Sequence, residues 1–503
     1  MKTRIVSTRI PAAQANGVFN ISLPTGFGVP RGFLVYAMDN AVQPNNFDTT
    51  TNVPCISVGF GGSNIAGTGL TNVCMYLSNQ DGSDPSITRA AFGNTVSVFT
   101  TNSGSTVRRQ WHMTGFGTDI ILGNYQTTGT QLQPLDVVFT VFGGDDFFCA
   151  VGQTAVALSG ARTTVATTFQ PDAILFSTYR GTITDGQIHF GTALRQASLG
   201  ATTVDSQIGV IWRSPNGGDP IALQSFMSTT GTRNLASGST ILFSHMFPSG
   251  FAVTQSSANT HSIAFIAMKA GVGLSTNPSF AASTFQSRPT ASGTGISFYS
   301  VGFKPAHILG CFSHINTLNG TVSTSANGCD MVSFFTANGQ QKKNVLGTGT
   351  ITSDTANATV TGVGTSFLHQ LGPLDIIYNL AYQLIGTVSS VASDTSLTLV
   401  ANAAITVAGS SFVFEKPQQY SMAYGAETGQ NSGTNARGRF SDSAITSFTA
   451  PTPSIQAVGT IQNFNGENGF TVDYTTLTNG GRYGWYFAIR DEDYYTRRRG
   501  RAS

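Results

Sequence analysis

The phrase Gly26-Phe27-Gly28-Val29-Pro30, followed by Phe33-Leu34-Val35-Tyr36, recurs along the chain and decides how its fold is interpreted. Its second version is Thr168-Phe169-Gln170-Pro171 with Ala173-Ile174-Leu175-Phe176, and its third is Gly302-Phe303-Lys304-Pro305 with His307-Ile308-Leu309. Each version places an aromatic residue and a Pro before an apolar run of strand length. The first version carries one extra residue after Phe27. A phrase that occurs three times in this way indicates three tandem modules.

Two further boxes follow each opening phrase in the same order. The middle box is Gly59-Phe60, then Phe190-Gly191, then Tyr424-Gly425. The closing box is a Gly-Phe pair that precedes a last apolar strand. Because this order is kept three times, we interpret the aromatic residues and prolines of the opening and closing boxes as core residues of one repeated fold. These predicted core residues are Phe27, Pro30, Phe169, Pro171, Phe303, Pro305, Phe116, Phe251 and Phe470.

The composition is typical of an all-β protein. Charged residues make up 10% of the chain, against about 25% in an average globular protein. Lys and Glu, which favour helices, are scarce, whereas Thr, Val, Ile and Phe, which favour strands, are abundant. We therefore expect three tandem β-sandwich modules, jelly-roll-like, with the third interrupted by a small β-barrel-like insert.

The boxes also set the expected limits of the domains. In the third copy the opening and closing boxes lie much farther apart than in the other two, and an unlike stretch separates them. Its short alternating phrases, broken by Gly, Asp or Pro, predict about five or six strands. The expected domains are module 1 at 1–155, module 2 at 156–275, module 3 at 276–344 plus 419–495, an insert at 345–418, and a basic C-terminal tail at 496–503.

Three pieces of the insert carry a resemblance to a known family. They are GTGTI at 347–351, VTGVGTSF at 360–367 and SDTSLTL at 393–399. Together they resemble a small β-domain found across the virion proteins of tailed bacteriophages. The three modules are similar to the β-sandwich repeats of tailed-phage structural proteins. In those repeats a Gly-Phe-x-Pro opening strand, a middle Gly box and a Gly-Phe closing hairpin recur.

The resemblance implies a non-enzymatic structural component of a tailed-phage virion. We expect an external tail-associated fibre, spike or knob protein that contributes to host attachment, because tandem modules with a protruding insert suit a projecting part. A capsid decoration or head-fibre protein and a carbohydrate-binding adhesin are the alternatives. A polysaccharide-degrading tailspike ranks last, since it needs two facing carboxylates and no Glu precedes Glu415. Tail or capsid location, oligomeric state, symmetry and host receptor stay open.

Charge and cysteine content indicate the partners and the compartment. A polar surface of low charge packs against other proteins with little desolvation penalty, so we expect other virion proteins as partners and a symmetric homo-oligomer. The net charge of +2 argues against general nucleic-acid binding. No signal peptide or membrane span is visible, and the 5 Cys show no CxxC pair. The expected localisation is the virion, after synthesis in the reducing cytoplasm of the host.

One group of residues is a candidate for binding a host-surface glycan. Trp111 lies beside Arg109 and His112 in the sequence. Exposed aromatic faces bind pyranose rings, and of the three Trp this one is the most plausible for surface exposure. The alternative is that Trp111 fills a sandwich core, as most large aromatic residues do.

The sequence predicts no catalytic residue, no cofactor and no metal site. The seven His show no zinc spacing such as HxH or HExxH. Asp145 and Asp146 are adjacent and predict a solvated turn, because on a strand they would face opposite sides. The loops that contain Asp81, Asp84 and Asp219 predict turns, and a Ca²⁺ ion held by their oxygen atoms stays an open alternative.

Overall fold

The computed structural model of the chain is built almost entirely of antiparallel strands, with one four-residue helix among the described residues. The expected all-β class is therefore confirmed. The structure describes residues 1–40, 45–46, 55–80, 87–93, 95–101, 107–128, 133–158, 160–180, 186–195, 204–214, 224–229, 232–233, 240–256, 261–270, 279–287, 295–319, 321–323, 329–373, 375–427, 435–448, 454–464, 468–478 and 481–491.

Unit 1 is formed by the first eleven strands. Its large sheet has the order β1-β11-β4-β5-β6-β7, and its small sheet has the order β2-β10-β9-β8, with β3 also paired to β10. The strands are β1 (Lys2–Ile10), β2 (Gly17–Val18), β3 (Ile21–Ser22), β4 (Pro30–Asp39), β5 (Cys55–Ser63), β6 (Leu70–Gln80), β7 (Ile87–Gly93), β8 (Val98–Thr101), β9 (Val107–Gly117), β10 (Ile120–Thr127) and β11 (Leu135–Gly143).

Unit 2 repeats this arrangement with the next ten strands. These are β12 (Phe148–Val156), β13 (Arg162–Ala166), β14 (Ala173–Arg180), β15 (Gly186–Arg195), β16 (Val204–Ser214), β17 (Gln224–Ser228), β18 (Thr232–Arg233), β19 (Thr240–Phe247), β20 (Gly250–Gln255) and β21 (His261–Lys269). The large sheet has the order β12-β21-β14-β15-β16-β17 and the small sheet β13-β20-β19-β18.

The first domain limit predicted from the sequence is wrong. We expected module 1 to end at residue 155, but β12 pairs along its whole length with β21, from Phe148 opposite Lys269 to Val156 opposite His261. Unit 2 therefore begins at Phe148. The strand was assigned to the wrong module because its apolar pattern is equally compatible with either neighbour, and only its pairing partner decides.

Unit 3 contains the remaining strands, six of which belong to the insert. They are β22 (Phe280–Gln286), β23 (Gly295–Ser300), β24 (Pro305–Ser313), β25 (Thr321–Ser323), β26 (Cys329–Leu346), β27 (Thr350–Ser353), β28 (Thr359–Val363), β29 (Ile376–Asn379), β30 (Leu384–Ser393), β31 (Ser396–Leu399), β32 (Val407–Ser410), β33 (Phe412–Glu427), β34 (Asn435–Phe440), β35 (Ile445–Phe448), β36 (Ile455–Asn463), β37 (Gly469–Leu477) and β38 (Tyr483–Arg490). The helix α1 (Phe367–Gln370) lies in the insert.

All three units share one strand order. In unit 3 the large sheet is β22-β38-β24-β26-β33-β34 and the small sheet is β23-β37-β36-β35. In each unit the first strand pairs with the last, and the last strand pairs with the strand of the opening phrase. The order refines the jelly-roll-like expectation, because β4 to β7 follow one another as a meander within one sheet, whereas a jelly roll consists of two Greek keys.

The insert is a closed barrel that grows out of unit 3. Its strands pair in the order β33-β29-β30-β31-β28-β27-β32. Because β32 ends at Ser410 and β33 begins at Phe412, this single chain segment pairs with β27 on one side and with β29 on the other. The long strands β26 and β33 continue from the sandwich into the barrel, so the predicted limits at 345 and 418 fall inside them.

The barrel has a core of its own, formed by twelve buried apolar residues. Phe367 of α1 packs there against Phe412, with ring centroids 5.8 Å apart. The members are Ile351, Val360, Phe367, Leu371, Ile377, Ile385, Val388, Leu397, Leu399, Ala403, Phe412 and Phe414. A separate core makes the barrel a compact domain that projects from its host.

The strands of the opening phrases are buried on both faces. In β4, Phe33, Val35 and Ala37 enter the core between the two sheets of unit 1. The alternate residues Leu34, Tyr36 and Met38 enter a second core. Successive side chains of a strand point to opposite faces, so an uninterrupted apolar run supplies two layers.

The second core is shared by the three units. Leu175 of unit 2 and Leu309 of unit 3 lie in it with Leu34 of unit 1, while Ile174 and Ile308 face the private cores of their own units. The large sheets of the three units therefore pack against one another, and the small sheets lie on the outside.

Candidate functional site

An aromatic cluster joins the three units at the centre of the shared core. Tyr36 of unit 1 stacks on Phe334 of unit 3, with centroids 5.1 Å apart and an interplanar angle of 15°. Phe190 of unit 2 meets both rings edge-on, at 5.9 Å and 5.7 Å. Phe190 also contacts Trp485 of unit 3 at 5.1 Å. Each such ring pair stabilises by about 0.5–1.5 kcal/mol beyond its buried area, so this cluster holds all three units together.

A buried polar chain connects units 3 and 1. The His307 Nε2 atom lies 2.8 Å from the Thr336 hydroxyl, which in turn lies 2.9 Å from the Thr140 hydroxyl of unit 1. The Asn338 side chain donates to the backbone oxygen of Thr3 at 2.9 Å. Burial lowers the pKa of His307 to about 3, so the imidazole is neutral at physiological pH.

An acidic residue of unit 1 provides a second link to unit 3. Asp136 is fully buried, and its carboxylate lies 3.9 Å from Arg9 and 3.6 Å from Arg439 of β34. The Asn40 side chain donates to the same carboxylate at 2.9 Å. Burial raises the pKa of Asp136 and the two arginines lower it. Removing one partner from a buried pair of this kind destabilises by about 3–5 kcal/mol.

Unit 2 is attached by backbone pairing as well as by packing. Strand β17 pairs with β25, which belongs to unit 3 by sequence, from Gln224 opposite Ser323 to Phe226 opposite Thr321. Toward unit 1, the Cys149 thiol of β12 donates to the backbone oxygen of Arg31 at 2.8 Å, and the Ser177 hydroxyl of β14 lies 3.2 Å from the Met75 sulfur. All three junctions between units therefore contain hydrogen-bonded contacts.

The expectation of a glycan platform at Trp111 is wrong. The indole of Trp111 is 1% exposed and packs in the core of unit 1 against Phe33 and Phe139. Its N–H donates to the backbone oxygen of Phe19 at 2.8 Å. Gly123 on the neighbouring strand has no side chain, and a Cβ there would overlap the indole. The ring has no face free for a sugar.

The two other residues of the candidate glycan site, Arg109 and His112, do not form a sugar-binding surface either. Arg109 is buried, forms an ion pair with Asp39, and donates to the Gln133 backbone oxygen at 2.5 Å. His112 is half-buried on the opposite face of β9. The alternation along β9 thus places Arg109 and Trp111 on the buried face and His112 on the other face, so the three residues form no common surface.

The box residues occupy the cores. Phe251 and Phe470 are buried, and a Cβ at the preceding Gly250 or Gly469 would lie against the carbonyl oxygen of Val165 or Tyr299 on the adjacent strand. The closing glycine is thus required by a close approach of two backbones. Phe27, Pro30, Phe169, Pro171, Phe303 and Pro305 are buried as well, whereas Phe116 is half-buried beside the core of unit 1.

The acidic residues considered from the sequence do not come together. Asp145 and Asp146 lie on an exposed turn between β11 and β12. The loops with Asp81, Asp84 and Asp219, and the tail at 496–503, lie outside the described residues. Within the described ranges, no group of three or more His, Cys, Asp and Glu is arranged to hold a metal ion.

The outer surface of the barrel carries an apolar row that sequence reasoning missed. Leu346, Val413, Tyr378 and Leu384 are directly opposite one another across four neighbouring strands. Directly paired residues project from the same face of a sheet. Leu346 and Leu384 are exposed, as is Tyr382 in the adjoining turn. The sequence feature that could have indicated this surface is the occurrence of these large apolar residues in an otherwise polar insert.

Polar side chains hold the barrel against unit 3. His369 of α1 lies 3.1 Å from Asp473 of β37, and the Gln462 amide donates to the same Asp at 3.0 Å. Nearby, Asp375 is buried and accepts from the Gly372 N–H at 2.8 Å. Burial raises the pKa of Asp375 to about 7.

Comparisons with known proteins add little to this geometry. Neither a protein-family model nor a curated protein matches the sequence. Among solved structures, the chain is similar to a chain in a cryo-EM structure of the Sputnik virophage, with 10% identity, coverage of 97% of this chain and 85% of that chain, and a TM-score of 0.13. A likeness at that score carries no argument about fold or function. No helix in the described part is long and apolar enough to cross a membrane.

Proposed function

We propose that this chain is a non-enzymatic structural component of a tailed-phage virion, an external tail-associated fibre, spike or knob protein. The observation that supports it best is the shared core, in which three sandwich units of one chain pack into a single body. Such a body is a rigid platform, since no unit moves without breaking apolar contacts to the other two. Rigid platforms that carry a projecting domain suit a particle exterior.

The barrel supplies the projecting domain. It has its own core and is held by two long strands, β26 and β33, that continue into the large sheet of unit 3. Its apolar row, in which Leu346 and Leu384 are exposed and Tyr378 is half-buried, offers a surface for a partner. We propose that the platform binds other virion proteins and that the barrel faces outward and contributes to host attachment.

The low charge of the chain supports the assembly role. With 10% charged residues, a surface rich in Ser, Thr and Asn is buried against neighbours at little electrostatic cost. Symmetric self-association is part of the proposal, because most protein oligomers have closed point-group symmetry.

Imaging of intact particles tests the proposal. Particles that carry the chain fused to a small fluorescent or gold-binding tag are examined by cryo-electron microscopy. Label below the neck supports a tail-associated part. Label at capsid vertices or faces replaces it with a decoration or head-fibre role. Purified particles that lack the chain would contradict a virion role altogether.

A further inference from the structure

A cleft lies at the junction of units 1 and 2, away from the aromatic cluster and the barrel. It is formed by the start of β4, the β5–β6 hairpin, the turn before β12 and the opening phrase of unit 2, and it encloses about 220 Å³. Phe148 forms an aromatic wall and is 47% exposed. Its ring contacts Phe169 at 6.2 Å between centroids, and the buried side chains of Phe147 and Cys149 lie beneath.

Two charged side chains line the cleft without a partner among the described residues. Arg31 and Asp145 are both exposed and both border the cavity. In the part of the chain that the structure describes, neither the guanidinium group nor the carboxylate forms a hydrogen bond or an ion pair. The cleft therefore presents a strong donor group and a strong acceptor group beside an open aromatic ring.

The walls of the cleft are held in place before any ligand arrives. In the β5–β6 hairpin, the Asn64 carbonyl side-chain oxygen accepts from the Thr68 N–H at 3.0 Å, and the Asn64 N–H donates to Gly69 at 2.8 Å. Gly67 in this hairpin has a φ of +69° and lies against Thr168 of unit 2. Asn64 also forms a parallel bridge with Val151 of β12. A pre-formed wall lowers the entropic cost of binding.

We propose that this cleft binds one residue of a neutral saccharide. The axial C–H groups of a pyranose pack on the Phe148 ring, the Arg31 guanidinium donates to ring hydroxyls, and the Asp145 carboxylate accepts from them. The volume lies below the roughly 300–1,000 Å³ of sites for drug-sized ligands, which fits a single sugar ring. One donor and one acceptor of opposite charge favour a neutral ligand over an anionic one. The inference does not depend on the proposed virion role.

Saturation-transfer NMR with the full-length chain tests the proposal. The probes are the methyl α-glycosides of glucose, galactose, mannose and N-acetylglucosamine. We expect saturation transfer to at least one of them. Phe148→Ala, Asp145→Ala and Arg31→Gln are each expected to weaken its affinity at least tenfold. Phe298→Ala removes an equally exposed Phe from β23 of unit 3 and is expected to leave the affinity unchanged.

Two results from these measurements would overturn the proposal, and a further variant adds a third. One is the absence of saturation transfer to all four glycosides. The other is binding that stays unchanged in Phe148→Ala and Asp145→Ala, which would place the sugar elsewhere. A further variant blocks the cleft instead of removing a binding group. In Thr168→Tyr, the larger side chain fills the cleft from its exposed rim. Its melting temperature is expected to match the parent chain while its binding is lost, and retained binding would also overturn the proposal.

Discussion

At the residue scale, burial decides what each polar side chain does. Arg109 sits beside Trp111 in the sequence, but its ion pair with Asp39 keeps it in the core of unit 1. Arg31 has its guanidinium group on the surface, where no described residue forms a hydrogen bond or an ion pair with it. Two titratable residues in the interior, Asp375 and His307, make the stability of the chain depend on pH in opposite directions.

Asp375→Asn is expected to stabilise the chain at alkaline pH. The folded-state pKa of about 7 lies above the unfolded value of about 3.9, so the folded state favours the protonated acid. The stability that this carboxyl contributes is complete below pH ~4 and is lost as the pH rises toward 7. The amide keeps an acceptor for the Gly372 N–H and cannot ionise. The free energy of unfolding, measured from thermal melts at pH 5 and pH 8, is expected to change less with pH in the variant than in the parent chain. The difference between the two chains is up to about a few kcal/mol.

The control for that experiment is Asp146→Asn, which changes an exposed carboxyl on the β11–β12 turn. It is expected to leave the pH dependence of the parent chain unchanged. An Asp375→Asn variant whose melting curve shifts equally at both pH values would show that the carboxyl does not titrate in this range.

His307→Gln is expected to protect the chain against acid. The folded-state pKa of about 3 lies below the unfolded value of about 6.5, so protonation favours unfolding. The stability linked to the neutral imidazole is complete above pH ~6.5 and is lost as the pH falls toward 3. A Gln side chain keeps a polar group near the Thr336 hydroxyl without a titrating ring. Urea unfolding at pH 7.5 and pH 4.5 measures the effect, and an equal loss in variant and parent would contradict it.

At the scale of elements, the long strands β26 and β33 are the feature that makes the insert possible. They pair with each other from Cys329 opposite Glu427 to Leu346 opposite Val413, with one irregularity between Asn338 and Lys342. The part of the β26–β33 pair that lies in the sandwich forms all of its backbone hydrogen bonds without the barrel. A β-hairpin closed by a short turn has the same hydrogen-bonding pattern.

Excision of the barrel is therefore expected to leave the platform folded. Residues 347–412 are replaced by Asn-Gly, a two-residue turn that joins Leu346 to Val413. We expect a soluble chain with an all-β circular dichroism spectrum and the parent oligomeric state by light scattering. Particles that carry it are expected to assemble but to adsorb less well to host cells. If the shortened chain folds normally but particles no longer assemble, the barrel takes part in assembly and not in host attachment.

At the scale of the whole molecule, the three units behave as one because they share a core. Full burial of a large apolar side chain stabilises by about 1.5–3 kcal/mol, and the shared core contains residues from all three large sheets. An isolated unit would expose Tyr36, Phe190 or Phe334 together with its neighbours. The units are expected to unfold in one cooperative transition.

Phe190→Ala tests this cooperativity. Truncation of a buried Phe typically costs about 3–5 kcal/mol, and here the ring contacts Tyr36 and Trp485 from two other units. Differential scanning calorimetry is expected to show the single main transition at a lower temperature. A split into separate transitions, with only unit 2 destabilised, would contradict the shared core. Phe298→Ala, at an exposed site, provides the matched control.

Part of this architecture was predictable from particular residues. The Phe and Pro of the opening phrases and the Gly-Phe of the closing boxes lie where a repeated sandwich needs them, apart from the half-buried Phe116. The burial of Trp111 was not predictable, because it depends on Gly123 of the neighbouring strand and on the backbone oxygen of Phe19, which are both distant in sequence. The assignment of β12 failed for the same reason, since its partner β21 is distant in sequence.

The sequence by itself determined the all-β class, the three copies and the place of the insert, because alternation, turn residues and repeated phrases are local properties of a chain. It also contained strands that are apolar on both faces, such as Phe33 to Met38. What covers the second face was decided only by the tertiary structure, in which three large sheets meet around Tyr36, Phe190 and Phe334. The physical reason is that a local pattern specifies which face is apolar, whereas the partner that buries it comes from contacts between distant segments.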